Sequence, residues 1–593
     1  MPTYTPPIDD IRFVLEDVID VAQVASLPGY EDAGADTILA VLEEGGRFAA
    51  EVLQPTNQPG DAEGCHYENG VVTTPKGFKA AYDAYVAGGW PAMTADAAYG
   101  GQGLPHITRV MLDEMMCGAN LSFSMYPLLA HGVITVLERW GSDELRQRFL
   151  PKLIDGSWGG TMCLTEPHAG TDLGIIRTKA VPSDAGSYLV TGTKIFISAG
   201  EHDLTDNIIH LVLAKLPDAP PGTKGISLFI VPKRVVGGNS SSGEPNGVRC
   251  GSIEHKMGIK GNATCVMNFD NAQGWLVGEP HKGMRAMFTM MNAARIGVGV
   301  QGLGLAEVAY QNAVAYTQDR LQGRSLTGAK NPQGEADPII VHPDVRRMLM
   351  SMRAYTEGTR ALAAFVGLQL DIEHRHPDAA RREEAVDLLA LLTPILKGFL
   401  TDIAFEVTNT ALQCYGGHGY IREYGMEQFV RDSRIAQIYE GTNGVQSMDL
   451  LGRKVPEENG RLVKRFFTMV GSDLAAASGD ATIADIAKPV ADALQLLQKV
   501  TMSVMARAQQ DPDEIGAAAV DYLRMFGLVA TGWMWVRMAG AAEAQRASHA
   551  SRADAKSATA RFYVTRLLPQ VHALAMQIDA GAKPVMALDP ARW

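Results

Sequence analysis

A chain of 593 residues with 46% hydrophobic, 20% charged and 7% aromatic residues has the composition of a folded, multi-domain globular protein, which excludes disordered, collagenous and small disulfide-scaffold classes. The 53 Lys and Arg against 66 Asp and Glu leave a formal charge of −13, a balance that opposes wrapping nucleic acid or adhering to an anionic membrane. The six cysteines, Cys65, Cys117, Cys163, Cys250, Cys265 and Cys414, form no C-x-x-C pair, so neither a disulfide framework nor a metal site is expected and a reducing cytoplasm is the expected setting. The opening MPTYTPPIDDIRFVLEDVID is acidic where an export or transit peptide is basic. No predominantly apolar run is expected to reach the ~20 residues that span a bilayer, because Asn120, Ser122, Ser124, Pro127 and His131 interrupt the one uncharged stretch.

Apolar residues recur at three and four positions from residue 1 to about 160, as in Ile11, Val14, Leu15 and Val18, which predicts an N-terminal helical domain. From 161 to 280 the pattern shifts to short apolar runs between turn residues: SYLVTG, TKIFIS, NIIHLVLAKL, GISLFIVPK and CVMNFD. These predict a β domain. Within it VGGNSSSGEPNG reads as a mobile surface insertion. Helical spacing returns over 281–455, broken only by the polar stretch from Gly323 to Pro338, and an Ala-rich segment over 456–593 predicts an appended helical domain. The expected fold class is α+β, in the order helices, sheet, helical bundle, appended helices.

Gly297, Gly299 and Gly302 spell G-x-G-x-x-G, the pattern of a dinucleotide loop. Its flanks, AMFTMMNAAR and LGLAEVAYQNAVAYTQDR, are helical on both sides, so the glycines are expected to serve close helix packing instead.

Six segments carry chemistry. Cys163-Leu-Thr-Glu-Pro-His-Ala-Gly-Thr-Asp172 puts hydroxyls and glycine on a loop leaving a strand, where backbone N–H groups can meet a ligand edge; an ordinary turn has the same residues. In GTKIFISAGEHD, Phe196 and Ser198 are expected on one strand face at period two. Glu254-His-Lys-Met-Gly-Ile-Lys260 and Met291-Asn-Ala-Ala-Arg295 place charges at element ends. Gln413-Cys-Tyr-Gly-Gly-His-Gly-Tyr420 breaks a helix with three glycines that let backbone approach a phosphate or ring. The last, Arg431-Asp-Ser-Arg-Ile-Ala-Gln-Ile-Tyr-Glu-Gly-Thr-Asn443, ends in an acid ahead of a helix, where it either does chemistry or merely complements the helix dipole.

In this order the six segments resemble the acyl-CoA dehydrogenase family of flavoproteins over roughly residues 1 to 455, and the extended C-terminal part, together with the MPTYTPPIDDIRFVL opening, resembles the extended bacterial subgroup that includes 3-methylthiopropanoyl-CoA dehydrogenases. The resemblance implies FAD and α,β-dehydrogenation of an acyl-CoA to the trans-2-enoyl-CoA. It makes Glu440 the base that takes the α-proton while the β-hydrogen leaves as hydride to flavin N5. Such a base needs an acidified thioester, which the family provides by hydrogen bonds to the enolate oxygen from the base's own N–H and a ribityl hydroxyl.

For the cofactor the resemblance implies Met162, Leu164, Thr165, Gly170 and Thr171 at the flavin edge and pyrophosphate, and Phe196 and Ser198 beside the ring, in place of the usual tryptophan and threonine. It implies Arg320 and Gln322, with Gln413, Gly416 and Gly417, reaching the FAD of a neighbouring subunit, and Thr442, Asn443 and Gly444 as a further contact. For the substrate it implies Thr171, Asn292, Arg295, Tyr439 and Gly441, with Asn292 replacing an acid so that its pairing with Arg295 falls to an amide hydrogen bond. Partners implied are an electron-transfer flavoprotein and further copies of the chain, as a dimer or dimer of dimers, with no nucleic acid or membrane. The implied setting is fatty acid metabolism or dimethylsulfoniopropionate degradation.

The alternatives are an acyl-CoA oxidase using oxygen and a DNA-binding relative of the fold. Against the latter, residues 456–593 hold 15 Lys and Arg against 14 Asp and Glu.

Overall fold

A computed structural model describes residues 2–237 and 242–593, without the side chains of Ala185 and Ser242. The chain divides into two compact units, one of residues 1–46, 105–118 and 298–593 and one of 47–104 and 119–297.

The N-terminal region supplies α1 (Ile8–Phe13), α2 (Ala35–Phe48), α3 (Gln54–Glu63), α4 (Phe78–Ala87), α5 (His106–Trp140) and α6 (Asp143–Ile154). It is not wholly helical. Strands β1 (His66–Glu68) and β2 (Val71–Thr73) form an antiparallel hairpin. The Asn69-Gly70 pair makes this turn because both residues take positive φ, 51° and 87°, as a two-residue hairpin loop demands. Inside α5 the backbone leaves helical geometry at Asn120. The Asn120 side chain accepts from Phe123 N at 3.0 Å, so it caps the second half of a kinked helix.

The sheet comprises β3 (Trp158–Cys163), β4 (Lys179–Pro182), β5 (Tyr188–Ser198), β6 (Asn207–Lys215), β7 (Ile226–Pro232), β10 (Val248–Ile253) and β11 (Thr264–Val277); β8 (Arg234–Val236) and β9 (Ser242–Pro245) pair separately. Strand order is β10-β11-β5-β4-β6-β3, with β7 paired to both β11 and β6. NIIHLVLAK and ISLFIVP are almost entirely buried, which explains their unbroken apolar runs. The first strand begins at Trp158, slightly ahead of the expected change at residue 161. Within the expected insertion, Ser242–Pro245 pairs back on Arg234–Val236, and residues 238–241 lie outside the described residues.

Helices then follow as α7 (Gly283–Asp319), α8 (Pro343–Arg375), α9 (Ala379–Cys414), α10 (Met426–Arg434), α11 (Asn443–Asp449), α12 (Glu457–Ser478), α13 (Ala484–Ala508), α14 (Asp513–Ala544), α15 (Ala550–Phe562) and α16 (Gln570–Asp579). The glycines of G-x-G-x-x-G lie inside α7. A Cβ on Gly299 would stand 2.8 Å from the Leu396 carbonyl oxygen and one on Gly302 3.0 Å from that of Leu400, so both let α7 press against α9. The appended segment is not a separate body: α12–α16 belong to the same compact unit as α8, α9 and α11. Gly527 of α14 leaves room for Phe399 of α9, and Trp535 Nε1 donates to the Ala354 carbonyl of α8 at 2.8 Å.

Contrary to expectation, α5 and α9 are both long and apolar enough to cross a bilayer. In each, 83% of the apolar window is buried within the protein, which accounts for the composition by core packing.

Candidate active site

In the unit carrying the sheet, β3 delivers Met162, buried, to the start of a loop in which Leu164 and Thr165 are half-buried and Gly170 and Thr171 exposed. A buried ion pair shapes this loop. The Glu166 carboxylate accepts Arg177 N at 2.7 Å, Thr178 N at 3.0 Å, the Thr178 hydroxyl at 2.6 Å and Lys194 Nζ at 2.9 Å, and Lys194 Nζ also donates to the Leu164 carbonyl at 3.0 Å. Burial alone would raise the Glu166 carboxyl, but the Lys194 charge and these hydrogen bonds pull it down to about 2. Neither residue was singled out from sequence.

One extra residue in β5 between the pairs Lys194↔Met267 and Ile197↔Cys265 creates a bulge. At the bulge Phe196 adopts φ 58° and is 60% exposed, while Ile197 is buried and Ser198 half-buried opposite Thr264. Ile195 N donates to the Thr165 carbonyl at 2.9 Å, tying this strand edge to the loop. A bulky residue in the left-handed region, with its ring presented to solvent, is a strained conformation that the bulge imposes. In the same unit Arg295 Nη1 donates to Asn292 Oδ1 at 3.2 Å, the amide hydrogen bond expected in place of a charge pair. Arg295 is buried and Asn292 exposed.

In the other unit, Glu440 follows α10 and precedes α11 on a turn in which Glu440 and Gly441 both have positive φ, 56° and 84°. The adjacent Tyr439 donates its phenol to Gln301 Oε1 at 2.5 Å. Burial raises the Tyr439 phenol, with further raising by Cys117 and by the nearby Glu440 carboxylate. Thr442 Oγ1 donates to the Gln437 carbonyl at 3.2 Å. The Asn443 amide is committed to α9: Oδ1 accepts Lys397 Nζ at 2.8 Å, and Nδ2 donates to Asp402 Oδ1 at 2.7 Å. Asp402 also accepts Gln437 Nε2 at 2.7 Å, so α9 grips the turn on both sides of Glu440. Thus Asn443 anchors the turn through its side chain, a role the sequence did not disclose. Gly444 is exposed, with no heavy atom within 4 Å of where a Cβ would stand.

The same unit brings the Arg320 and Gln413 segments together. Tyr316 of α7 stacks on Tyr415 at 3.9 Å between centroids and shares a 2.7 Å hydrogen bond with His418 Nδ1. Arg320, Gln322, Gln413, Gly416 and Gly417 are all exposed, and a Cβ at Gly416 or Gly417 would meet nothing within 4 Å. Arg320 and Gln322 open the polar loop, fixed where Ile339 N donates to the Arg320 carbonyl at 2.8 Å and Gln322 N to that of Asp337 at 3.0 Å. The Asp337 carboxylate organises the loop by accepting Ser325, Lys330 and Asn331 N–H groups, which hold its carboxyl well below the usual range.

These features agree with the comparisons. Residues 36–157, 161–272 and 281–455 match the N-terminal, middle and C-terminal domains of acyl-CoA dehydrogenases, and 466–589 match an acetyl-CoA dehydrogenase C-terminal-like domain. The chain belongs to the acyl-CoA dehydrogenase family. It is 45% identical to a 3-methylmercaptopropionyl-CoA dehydrogenase of Ruegeria pomeroyi over 96% of this chain and 97% of that one. It is 36% identical to a butyryl-CoA dehydrogenase of Syntrophomonas wolfei over 96% and 95%. An acyl-CoA dehydrogenase from Bacillus anthracis, solved with FAD, shares the fold at TM-score 0.74 and 20% identity, covering 94% and 90%.

The protein is an FAD-dependent acyl-CoA dehydrogenase. Its residues fit that cofactor. An exposed aromatic ring, half-buried Thr165 and Ser198 hydroxyls and the open backbone at Gly170 suit a flavin ring and its polar edge, and the open glycines and exposed Arg320 suit a pyrophosphate.

Proposed function

We propose that this dehydrogenase oxidises a short, unbranched acyl-CoA, 3-methylthiopropanoyl-CoA or a near analogue, to its trans-2-enoyl-CoA and passes the electrons to an electron-transfer flavoprotein. The observation that carries the reading is Glu440, an acid held at φ 56° beside Tyr439 on a turn clamped by α9. It is supported by the two relatives named for 3-methylmercaptopropionyl-CoA and butyryl-CoA.

In this reading the Glu440 carboxylate takes the α-proton of the thioester. Bound FAD supplies the hydride acceptor for the β-carbon. The turn's work is positional: a general base acts only within hydrogen-bond reach of its proton. Tyr439 and Gly441 flank the base and border the acyl group. Arg295, steadied by Asn292, orients the thioester end. Thioether sulfur is nearly methylene-like in an apolar site, so straight-chain analogues react too. The exposed Arg320 and Gln413–Gly417 surface fits contact with FAD of a second copy, which makes the active species at least a dimer.

The deciding experiment is anaerobic stopped-flow reduction of the purified yellow protein by a panel of acyl-CoAs, followed by reoxidation with electron-transfer flavoprotein or with oxygen. Fast bleaching by four- and five-atom chains, with slow peroxide formation in air, is the expected result. Rapid peroxide production would make it an oxidase, and preference for long or branched chains would overturn the substrate.

A further inference from the structure

Lys397 of α9 is fully buried, its ammonium reaches the Glu440 turn, and the chemistry above gives it no task. Its Nζ donates to Asn443 Oδ1 at 2.8 Å. An ammonium has donors only, so this bond fixes which end of the Asn443 amide faces it. The other end, Nδ2, lies 2.7 Å from Asp402 Oδ1 and 3.1 Å from the Gly398 carbonyl oxygen, with the Thr401 hydroxyl a further acceptor at 2.9 Å. Asn443 thus spans Lys397 and Asp402 on one helix. Its two hydrogens are spent inside α9, so the amide has none to offer FAD.

One oxygen collects both flanks of the base. Asp402 Oδ1 accepts Gln437 Nε2 at 2.7 Å as well as Asn443 Nδ2, and these residues stand three before and three after Glu440. Glu440 itself sits at φ 56°, a conformation that persists only where the surroundings impose it. The flanking bonds therefore set where the carboxylate lies. A general base acts only within hydrogen-bond reach of its proton, and a misplacement of about 1 Å can cost on the order of 10²-fold in rate.

We propose that Lys397 and Asp402 are positioning residues for the dehydrogenation, acting on Glu440 through the Asn443 and Gln437 amides, and that the Asn443 side chain serves the base and not FAD. This rests on the acyl-CoA reading of the Glu440 turn. Neither Lys397 nor Asp402 touches substrate in this role. Lys397 orients the amide and Asp402 holds it: with the amide turned over, Nδ2 would meet the ammonium and Oδ1 the carboxyl group, two unmatched contacts beside a buried cation. The cofactor contact expected at Asn443 then falls to its backbone.

The test measures two quantities in the full-length enzyme: FAD affinity, by flavin fluorescence on titrating the apoprotein, and the anaerobic rate of flavin bleaching at saturating acyl-CoA. Asp402→Ala and Asn443→Leu should each slow bleaching on the order of 10–10²-fold, with FAD affinity within about twofold of wild type. Asp402→Asn keeps an acceptor oxygen and should recover most of the loss. In a Glu440→Gln background, Asp402→Ala and Asn443→Leu should add almost nothing, because the effects of residues acting through one base are not additive. Lys397→Met combined with Asn443→Leu removes both partners of the first bond, and reads the same rate if Asn443→Leu alone misfolds around the stranded ammonium. FAD affinity falling in step with the rate would make Asn443 a cofactor contact, and equal losses with and without the base would make the clamp merely structural; either result overturns the proposal. Should no acyl-CoA bleach the wild-type flavin, the reaction itself falls, while the FAD affinities of the Asn443 variants still decide whether that side chain serves the cofactor.

Discussion

Glu440, on the turn before α11, and Phe196, at the bulge of β5, are both non-glycine residues held in the left-handed backbone region. Such a conformation costs on the order of 1–3 kcal/mol and persists where the surroundings over-determine it. For Glu440 the clamp is visible in the bonds from Gln437 and Asn443 to Asp402. Replacing Glu440 with Gln keeps shape and strain while removing the base, so flavin and acyl-CoA binding should persist and flavin bleaching by substrate should slow on the order of 10²–10⁴-fold or more. An acid that only complements a helix end would leave the rate intact and change stability by no more than ~1 kcal/mol. Stopped-flow absorbance separates these outcomes. The Glu440 segment could be picked out as a candidate because its motif is a contiguous run of thirteen residues ending at Asn443. Gln301 could not: its partner is 138 positions away and nothing local marks a buried amide. The same holds for Glu166 and Lys194, 28 positions apart.

At the level of elements, periodicity located the long helices and the buried strands, since α7, α9, β6 and β7 repeat or exhaust their apolar positions. It overlooked the β1–β2 hairpin because three-residue strands carry too little pattern, although Asn69-Gly70 is itself a turn signal. The G-x-G-x-x-G run shows context overruling a motif. Gly302→Val would push a branched side chain toward the Leu400 carbonyl and the Ala404 methyl, forcing α7 and α9 apart at a cost of about 1–3 kcal/mol. A lowered Tm with the FAD-to-protein ratio unchanged in the surviving fold is expected; lost cofactor at unchanged Tm would mark a nucleotide loop after all. The Glu166–Lys194 pair invites a second test. Lys194→Met strands a buried carboxylate, which typically costs ~3–5 kcal/mol, and loosens the loop bearing Thr165 and Thr171, so FAD retention should fall with Tm. The pH dependence has a definite sign. With its folded value lowered from 4.5 to about 2, Glu166 contributes stability that is whole above pH ~4.5 and is lost as pH falls toward 2. In Lys194→Met burial acts on the carboxyl without the Lys194 charge, and protonating it relieves the penalty, so the Tm deficit against wild type should shrink as pH falls from about 7 toward 4, read by thermal melts across that range.

For the molecule as a whole, the sequence placed helices over residues 456–593 but could not say that they share a core with the bundle, because sharing is a matter of which faces meet. The bonds that join them are long-range. Arg524 of α14 pairs with Glu406 of α9 at 2.6 Å, one turn beyond the Asp402 that clamps the base turn, so the appended helices buttress the helix that positions Glu440. Deeper in the unit, Arg360 of α8 donates to Asp10 at 2.5 Å, Glu114 at 2.6 Å and Glu307 at 2.5 Å, while Lys556 of α15 donates to Asp10 and, at 2.8 Å, to Glu357. Burial pushes the Glu114 carboxyl up to about 7 against the pull of Arg360, whereas Lys556 and Arg360 overcome burial at Asp10 and hold its carboxyl well below the usual range. Lys556→Met removes a cation that is 4% exposed and leaves Asp10 to Arg360 and Glu357 to Arg353, so each carboxylate keeps one partner and loses one. Each lost hydrogen bond to a charged group costs about 1.5–3 kcal/mol, because neither carboxylate regains water in place of the lysine. Since Asp10 comes from the first helix, Glu357 from the bundle and Lys556 from the appended segment, the loss should lower a single calorimetric transition and carry flavin release with it. Neutralising Asp10 as well, in Lys556→Met with Asp10→Asn, should recover part of the Tm, because Arg360 then faces only Glu114 and Glu307 and the excess of acid around it falls. Two separate transitions, with only the smaller displaced and flavin retained through it, would show that residues 456–593 fold as an independent domain.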